Sequence, residues 1–355
     1  MILTHLELRD FRNYPRLTLD PGKGLNLILG DNGAGKSNLA EAVHYLSLAR
    51  SWRTPDDRLL IRDHSESALI HASIQEGGLN REIEIEIAKN RKKIAINGKN
   101  IRRLSELSKL VNVIVFAPSD VSLFLGSPGE RRSFLDVALG KQSLDYFSLI
   151  SRYNRLLQER NAALKRQNPD RGIVSVLTKQ MIEVAEPLVR FRHMYVNEIN
   201  RVLPDLVSRL RGEESKASIV YHPFVRDDEG FVEAAEKAFA EALEADMLHR
   251  STSVGPHRED FSFRLNGKNI AEYGSQGENR LAVFALKIAP YFLIEDGDKK
   301  PICVLDDVTS ELDSAHQKNL LELVKTLSQV FLTATKLDIE GASIIDVSAN
   351  KAIRR

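Results

Sequence analysis

The sequence predicts an α/β nucleotide-binding head with a second, mainly helical lobe and no long coiled coil. Three observations carry that expectation. Gly30-Asp31-Asn32-Gly33-Ala34-Gly35-Lys36-Ser37 is a complete G-x-x-x-x-G-K-S phosphate loop, with the apolar run Leu25-Asn26-Leu27-Ile28-Leu29 before it. Asn38 through Leu46 follows at helical spacing. Far along the chain, Pro301-Ile302-Cys303-Val304-Leu305 reads as a short buried strand ending in two carboxylates, Asp306 and Asp307. Between these lies residues 121–250, patterned mainly as helix and broken by Pro169, Gly172, Pro204, Gly212 and Pro223.

Each element points to phosphate chemistry. Glycines let the loop curl so that its N–H groups face a phosphate, and the helix N-terminus adds partial positive charge. Residues 30–38 are therefore expected to cradle ATP. Lys36 reaches the β/γ-phosphates and the Ser37 hydroxyl ligates Mg²⁺. Asp306 is expected to hold the same Mg²⁺, and Asp307 to orient or deprotonate the attacking water.

Tyr273-Gly274-Ser275-Gln276-Gly277-Glu278-Asn279-Arg280 precedes another helical run, from Leu281. Ser275-x-x-Glu278 is a capping box. Gly277 weakens that first turn by about 1 kcal/mol relative to alanine, which makes sense if a γ-phosphate approaches the backbone. S-x-G-E ahead of a helix, followed by the Asp-Asp strand, resembles the signature motif of ABC-type ATPases. The resemblance implies that Ser275, Gln276, Gly277 and Glu278 of one subunit complete the nucleotide site of another. Ser310-Glu311-Leu312-Asp313 resembles the D-loop of that class. Val330-Phe331-Leu332-Thr333-Ala334-Thr335 reads as a further buried strand, and Thr335 falls nearest the position where many relatives carry a switch histidine. Phe116-Ala117-Pro118-Ser119-Asp120 occupies the place of the glutamine loop, without a glutamine.

The whole chain resembles the RecF family of recombination-mediator ATPases, which is related to SMC proteins. The resemblance rests on Leu6-x-Leu8-x-x-Phe11-Arg12-Asn13-Tyr14, the phosphate loop, Ser51-Trp52-Arg53-Thr54, Phe116 to Asp120, Gly129-Glu130-Arg131-Arg132-x-Phe134-Leu135-Asp136, Gly255-Pro256-His257-Arg258 and the signature and carboxylate motifs. It implies an ABC-type/SMC-like P-loop ATPase head that dimerises on ATP, binds double-stranded or gapped DNA, and works with RecO and RecR to load RecA. By the same resemblance Arg12 and Asn13 lie near the nucleotide, and Arg53 links DNA to hydrolysis. Gly255 to Arg258 is distinctive, yet no role follows from its residues.

Composition sets ordinary bounds. The 355 residues are 43% hydrophobic and 28% charged, with a net charge of +1, as expected of a soluble protein of about two domains; a cytoplasmic, nucleoid-associated location is what the family resemblance implies. A strand-like start argues against an N-terminal signal. The longest apolar stretch, from Leu281 to Ile294, contains Lys287 and Pro290, so no membrane span is expected. Cys303 is the single cysteine, which leaves no disulfide framework. Residues 141–216 carry 14 basic and 9 acidic side chains, and 226–260 carry 4 and 10. That asymmetry is read first as a solvated helical surface and second as a DNA-facing one.

The expected organisation is a split ATPase lobe, 1–120 and 291–355, enclosing a mainly helical lobe, 121–290, that includes the signature. Ile83, Ile85 and Ile87 alternate with Glu82, Glu84 and Glu86 as in a half-buried strand. Asn90 to Lys93 is expected to turn the chain, Ile94 to Ile96 to return it, and Asn97-Gly98 to turn it again. Arg91, Lys92 and Lys93 at that tip, with Lys99, Arg102 and Arg103 beyond, are the DNA-contact candidates. A transporter ATPase would need a glutamine loop and switch histidine. A small-molecule kinase would leave Ser275 to Glu278 unexplained, and a non-catalytic scaffold would not need Asp307. An ABC-type ATPase not gated by DNA stays open as the alternative.

Overall fold

The computed structural model describes residues 1–226, 230–310, 312–348 and 351–354. The chain forms two compact units, one of Met1–Val121, Asp205–Glu214 and Arg280–Arg355, the other of Ser122–Pro204 and Ser215–Asn279.

In the first unit, six antiparallel strands are ordered β2-β1-β4-β5-β6-β7: β1 Ile2–Phe11, β2 Tyr14–Leu19, β4 Ser67–Glu76, β5 Leu79–Ala88, β6 Arg91–Ile96 and β7 Lys99–Asn100. The isoleucines of β5 are buried and its glutamates face outward, as their alternation requires. A second sheet is ordered β15-β14-β3-β13-β12-β8: β3 Gly24–Leu29, β8 Val113–Phe116, β12 Ile302–Leu305, β13 Gln329–Ala334, β14 Ser343–Ser348 and β15 Lys351–Arg354. It is parallel except for the edge strand β15. β12 and β13 are buried along their whole length, so they read as continuous apolar runs. Helix α1, Lys36–Leu48, shares one core with both sheets: Leu6, Ile70 and Ile85 from the first, Leu39, Val43 and Leu46 from the helix, and Ile28, Val304 and Phe331 from the second. This packing sets the phosphate loop at the carboxyl ends of β3, β12 and β13, where open parallel sheets bind ligands. Helix α2, Leu104–Leu110, and helix α9, Ser314–Lys325, complete the unit with most of α8, Gln276–Leu293.

The basic hairpin departs from expectation. The turn is Lys89-Asn90 alone, because Ala88 already pairs with Arg91. Arg91, Lys92 and Lys93 therefore lie on a strand, and Lys92 pairs with Ile87 on the core-facing side. Its ammonium donates to Asp57 Oδ2 and to the Ala49 carbonyl, both at 2.6 Å, and closes the end of α1. Asn97-Gly98 turns as expected, with positive φ at both residues.

The second unit contains α3 Pro128–Gln142, α4 Leu144–Leu164, the long α5 Arg171–Arg211 (whose last residues belong to the first unit), α6 Phe231–His249 and α7 Ile270–Tyr273. A three-stranded antiparallel sheet, β11-β10-β9, joins them: β9 Ala217–His222, β10 Asp260–Leu265 and β11 Lys268–Asn269. Pro204 does not interrupt the helices as expected; it lies inside α5, as does Pro187. An interior proline costs about 3 kcal/mol. Burial of Leu188, Val189, Ile199 and Leu203 along α5 outweighs it. Gly172 falls in the first turn of the same helix, and Gly212 at φ 73° ends it.

A buried polar network gives the distinctive motifs of this unit their role. Arg192 is 1% exposed and donates to the Tyr146 hydroxyl at 3.0 Å, the Pro256 carbonyl at 2.8 Å, Glu259 at 2.6 Å and Asp136 at 2.7 Å. Arg131 forks onto Asp260 at 2.7 and 2.8 Å, and Arg132 donates to the Glu259 carbonyl at 2.7 Å. Arg160, fully buried, pairs with Asp246 at 2.8 Å. Gly255 has φ 128°, and a Cβ there would stand 2.4 Å from the Tyr153 hydroxyl. His257 Nε2 donates to the Thr252 carbonyl at 3.0 Å, so Nδ1 accepts from Tyr153 Oη at 2.8 Å. The imidazole is thus held neutral.

Burial pushes the His257 pKa down to about 4. Above pH 6.5 the ring is neutral in both folded and unfolded chains and adds no pH dependence. As pH falls from 6.5 to 4 the unfolded chain takes up the proton first, and the folded state loses up to about 3 kcal/mol. Denaturant unfolding at pH 7.5, 5.5 and 4 is expected to show a smaller loss in His257→Gln than in the parent. Equal losses would remove His257 from the account.

Candidate nucleotide site

The phosphate loop leaves β3 and enters α1 through Gly35, whose φ of 114° no other residue adopts without strain. A Cβ there would also stand 2.6 Å from Asn13 Nδ2. Asn13 packs on the loop, accepting from Asn38 Nδ2 at 2.7 Å and donating to the Ala34 carbonyl at 3.3 Å. The Tyr14 hydroxyl donates to the Gly35 carbonyl at 3.0 Å. Lys36 Nζ donates to the carbonyls of Gly30 and Asp31, at 2.7 and 2.9 Å. Beside the loop lies a pocket of about 720 Å³, lined by Gly30, Asp31, Thr335, Lys336, Asp338 and Asp346 among others. Its size suits a nucleoside. Thr335 therefore does reach the loop's neighbourhood.

Asp306 is 4% exposed and lies at the end of β12. Its Oδ1 accepts from Ser37 Oγ at 2.9 Å and from Thr333 Oγ1 at 2.8 Å. Burial raises its pKa, and the two hydroxyls act in the opposite direction. Thr333 also accepts from the Asp307 backbone N–H at 2.9 Å, so one hydroxyl bridges both aspartates. Asp307 has φ 52°. Its carbonyl accepts from Arg280 Nη2 at 2.6 Å, and the Ser310 hydroxyl lies 3.0 Å from its Oδ2. Thr333, Arg280 and Ser310 thus hold the amide, carbonyl and carboxylate of Asp307 in this strained conformation. Ser37 and Asp306 present a hydroxyl and a carboxylate side by side, a hard-oxygen pair that fits Mg²⁺.

Arg12, expected near the nucleotide, has its guanidinium engaged within the chain. It forks onto Glu41 at 2.7 and 2.8 Å and donates to the Leu59 carbonyl at 2.8 Å. Glu41, fully buried on α1, also receives the Ser51 hydroxyl and Arg53 at 3.5 Å. Arg53 in addition donates to Asn38 Oδ1 at 2.5 Å, next to Ser37. Asp120 in the glutamine-loop position accepts from the Ala117 N–H at 2.7 Å and pairs with Lys287 of α8, whose pKa burial lowers. Glu311 lies outside the described residues.

Ser275 and Glu278 form the expected box: Glu278 N–H donates to Ser275 Oγ at 3.2 Å, and Ser275 N–H to Glu278 Oε2 at 2.9 Å. Ser275 and Gln276 are exposed. A Cβ on Gly277 would meet nothing within 4 Å, so the chain's own packing does not demand glycine there.

Residues 2–347 match the family described as RecF/RecN/SMC N terminal domain. The DNA replication and repair protein RecF of Geobacillus kaustophilus is 39% identical, over 98% of this chain and 96% of that one. The chain belongs to the RecF family. RecF of Streptococcus pneumoniae is 35% identical over 99% of both chains. A solved structure of the recombination mediator protein RecF-ATP in the RecFOR pathway superposes with a TM-score of 0.88, at 28% identity over 99% of this chain and 97% of that one. An Smc head domain with an extended coiled coil from Pyrococcus furiosus, at 16% identity and TM-score 0.60, shares the fold. The expected ABC-type/SMC-like head is thus the observed one, and membership of the RecF family accounts for the motifs of both units. Among the described residues no helix is long and apolar enough to cross a membrane.

Sequence reasoning missed Thr333 and Glu41 in this site. A threonine inside the apolar run of β13 was the available signal for the first, and a carboxylate among the apolar residues of α1 for the second.

Replacing Thr333 by valine keeps the volume and removes both hydrogen bonds. ATP hydrolysis by Thr333→Val is expected to fall about 10–100-fold, the loss typical of an outer-layer partner. ATP affinity, measured by fluorescent-nucleotide displacement, is expected to hold within about threefold. Unchanged turnover would dismiss the bridge.

Proposed function

We propose that this chain is an ATP-dependent DNA clamp of recombinational repair. The observation that carries the reading is the pairing of a complete phosphate-loop and carboxylate site with a capped, exposed signature turn whose Gly277 the chain itself does not require. ATP sits on residues 30–38 of one chain, with Lys36 on its β/γ-phosphates. Ser275 and Gly277 of a second chain offer a hydroxyl and open backbone to the γ-phosphate, so the nucleotide joins two copies. Ser37 and Asp306 would hold Mg²⁺, which offsets the phosphate charge. Asp307 orients the attacking water, and loss of the γ-phosphate removes the contacts that hold the copies together.

DNA contacts are assigned to the exposed Arg91, Lys93, Lys99, Arg102 and Arg103, with Arg53 beside the phosphate-loop helix. Lys92 is withdrawn from that set because its ammonium is engaged with Asp57 and the end of α1. The solved RecF relatives with nucleotide support ATP as the ligand. Their place in the RecFOR pathway supports duplex or gapped DNA, RecO and RecR as partners, and RecA loading as the outcome.

The test is steady-state ATP hydrolysis by the purified chain, alone and with single-stranded, duplex and gapped DNA, beside Lys36→Arg. The expected result is stimulation by duplex-containing DNA that disappears in the variant and declines steeply with salt. Turnover indifferent to every DNA would leave an ABC-type ATPase not gated by DNA.

A further inference from the structure

The solvent face of the antiparallel sheet carries a cluster that the nucleotide site does not use. Glu7 on β1 stands directly opposite His71 on β4 in the strand register. His5, two residues before Glu7 and in unbroken register with it, shares that face. One ring nitrogen of His5, one of His71 and a carboxylate oxygen of Glu7 lie within 4.8 Å of one another. All three residues are partly exposed, so an ion can reach them.

Two further carboxylates contact the imidazoles. Asp20 Oδ1 lies 2.6 Å from His5 Nδ1, and Glu82 Oε2 lies 3.1 Å from His71 Nε2. Ser73 steadies Glu82 through a 2.9 Å hydrogen bond. Imidazoles that ligate metals are characteristically backed by a carboxylate in this way, which fixes the ring and raises its basicity. Glu7 is meanwhile held by Arg9 at 2.9 Å and Arg16 at 3.6 Å, exposed partners that a cation would displace at modest cost.

We propose that His5, His71 and Glu7 form a Zn²⁺ site on this sheet, with Asp20 and Glu82 as its supporting carboxylates. Two imidazoles and one carboxylate suit a borderline cation in tetrahedral coordination, with water in the fourth position. Mg²⁺ and Ca²⁺ need six or more oxygens and are poorly served here. Tetrahedral coordination places ligand atoms about 3.3 Å apart, so side-chain rotations of about an ångström close the site. The ion would bridge β1 and β4, neither of which carries a residue assigned to ATP.

The test uses the untagged full-length chain, stripped with chelator and titrated with Zn²⁺ by calorimetry and with Co²⁺ by visible absorbance, in millimolar Mg²⁺ to fill hard-oxygen sites. One equivalent is expected to bind, with the intense visible band of low-coordinate Co²⁺. His71→Ala is expected to abolish it, and Glu82→Gln to weaken it about 10–100-fold. ATP binding is the folding control for each variant. The inference is overturned if no saturable equivalent binds, or if both variants bind as the parent does.

Discussion

The site depends on one buried carboxylate. Asp306 stands at the end of β12 with Ser37 from the start of α1 on one side and Thr333 from β13 on the other. A buried, uncompensated carboxylate is expensive, so the two hydroxyls are the condition on which three parallel strands can end at the same point. The same Thr333 hydroxyl fixes the amide of Asp307, and Arg280 at the start of the signature helix fixes its carbonyl. Backbone strain at Asp307, about 1–3 kcal/mol, is thus offset by hydrogen bonds from two separate elements. Arg280 of α8 thus ties the Asp307 backbone to that helix within one chain.

A second buried network lies in the other unit. Arg192 collects Tyr146, Asp136, Glu259 and the Pro256 carbonyl, and Arg160 holds Asp246. Buried charges of this kind add little net stability when complete, but losing one partner typically costs about 3–5 kcal/mol. The Gly129–Asp136 and Gly255–Arg258 motifs are in this light structural: the first supplies Arg131, Arg132 and Asp136, and the second supplies the turn that Arg192 and Tyr153 grip. His257 is half-buried as a neutral imidazole between Tyr153 and the Thr252 carbonyl.

Much of the fold was legible because local rules and tertiary structure agree there. The phosphate loop, the alternation of β5, the Asn97-Gly98 turn and the Ser275–Glu278 box each follow from spacing, and each forms as read. What was not legible depends on distant partners. Pro204 should break a helix, yet burial along α5 keeps it running. Lys92 resembled a solvated turn residue until a two-residue turn at Lys89-Asn90 carried it to the core-facing side. Thr333 looked like any threonine in an apolar strand, because its value lies in two aspartates that precede it by 27 and 26 residues. Arg12, placed near the nucleotide by resemblance, also pairs with the buried Glu41, a partner that no local spacing announces.

The central claim is that nucleotide bound at this site joins two copies of the chain. Its most direct test is the solution mass of Asp307→Asn, which should bind ATP without turning it over, with and without ATP and Mg²⁺. The account predicts that the mass doubles with nucleotide, and that adding Ser275→Arg restores the single-chain mass while ATP still binds. A mass that stays single at saturating ATP, or a doubling that Ser275→Arg leaves intact, would contradict it.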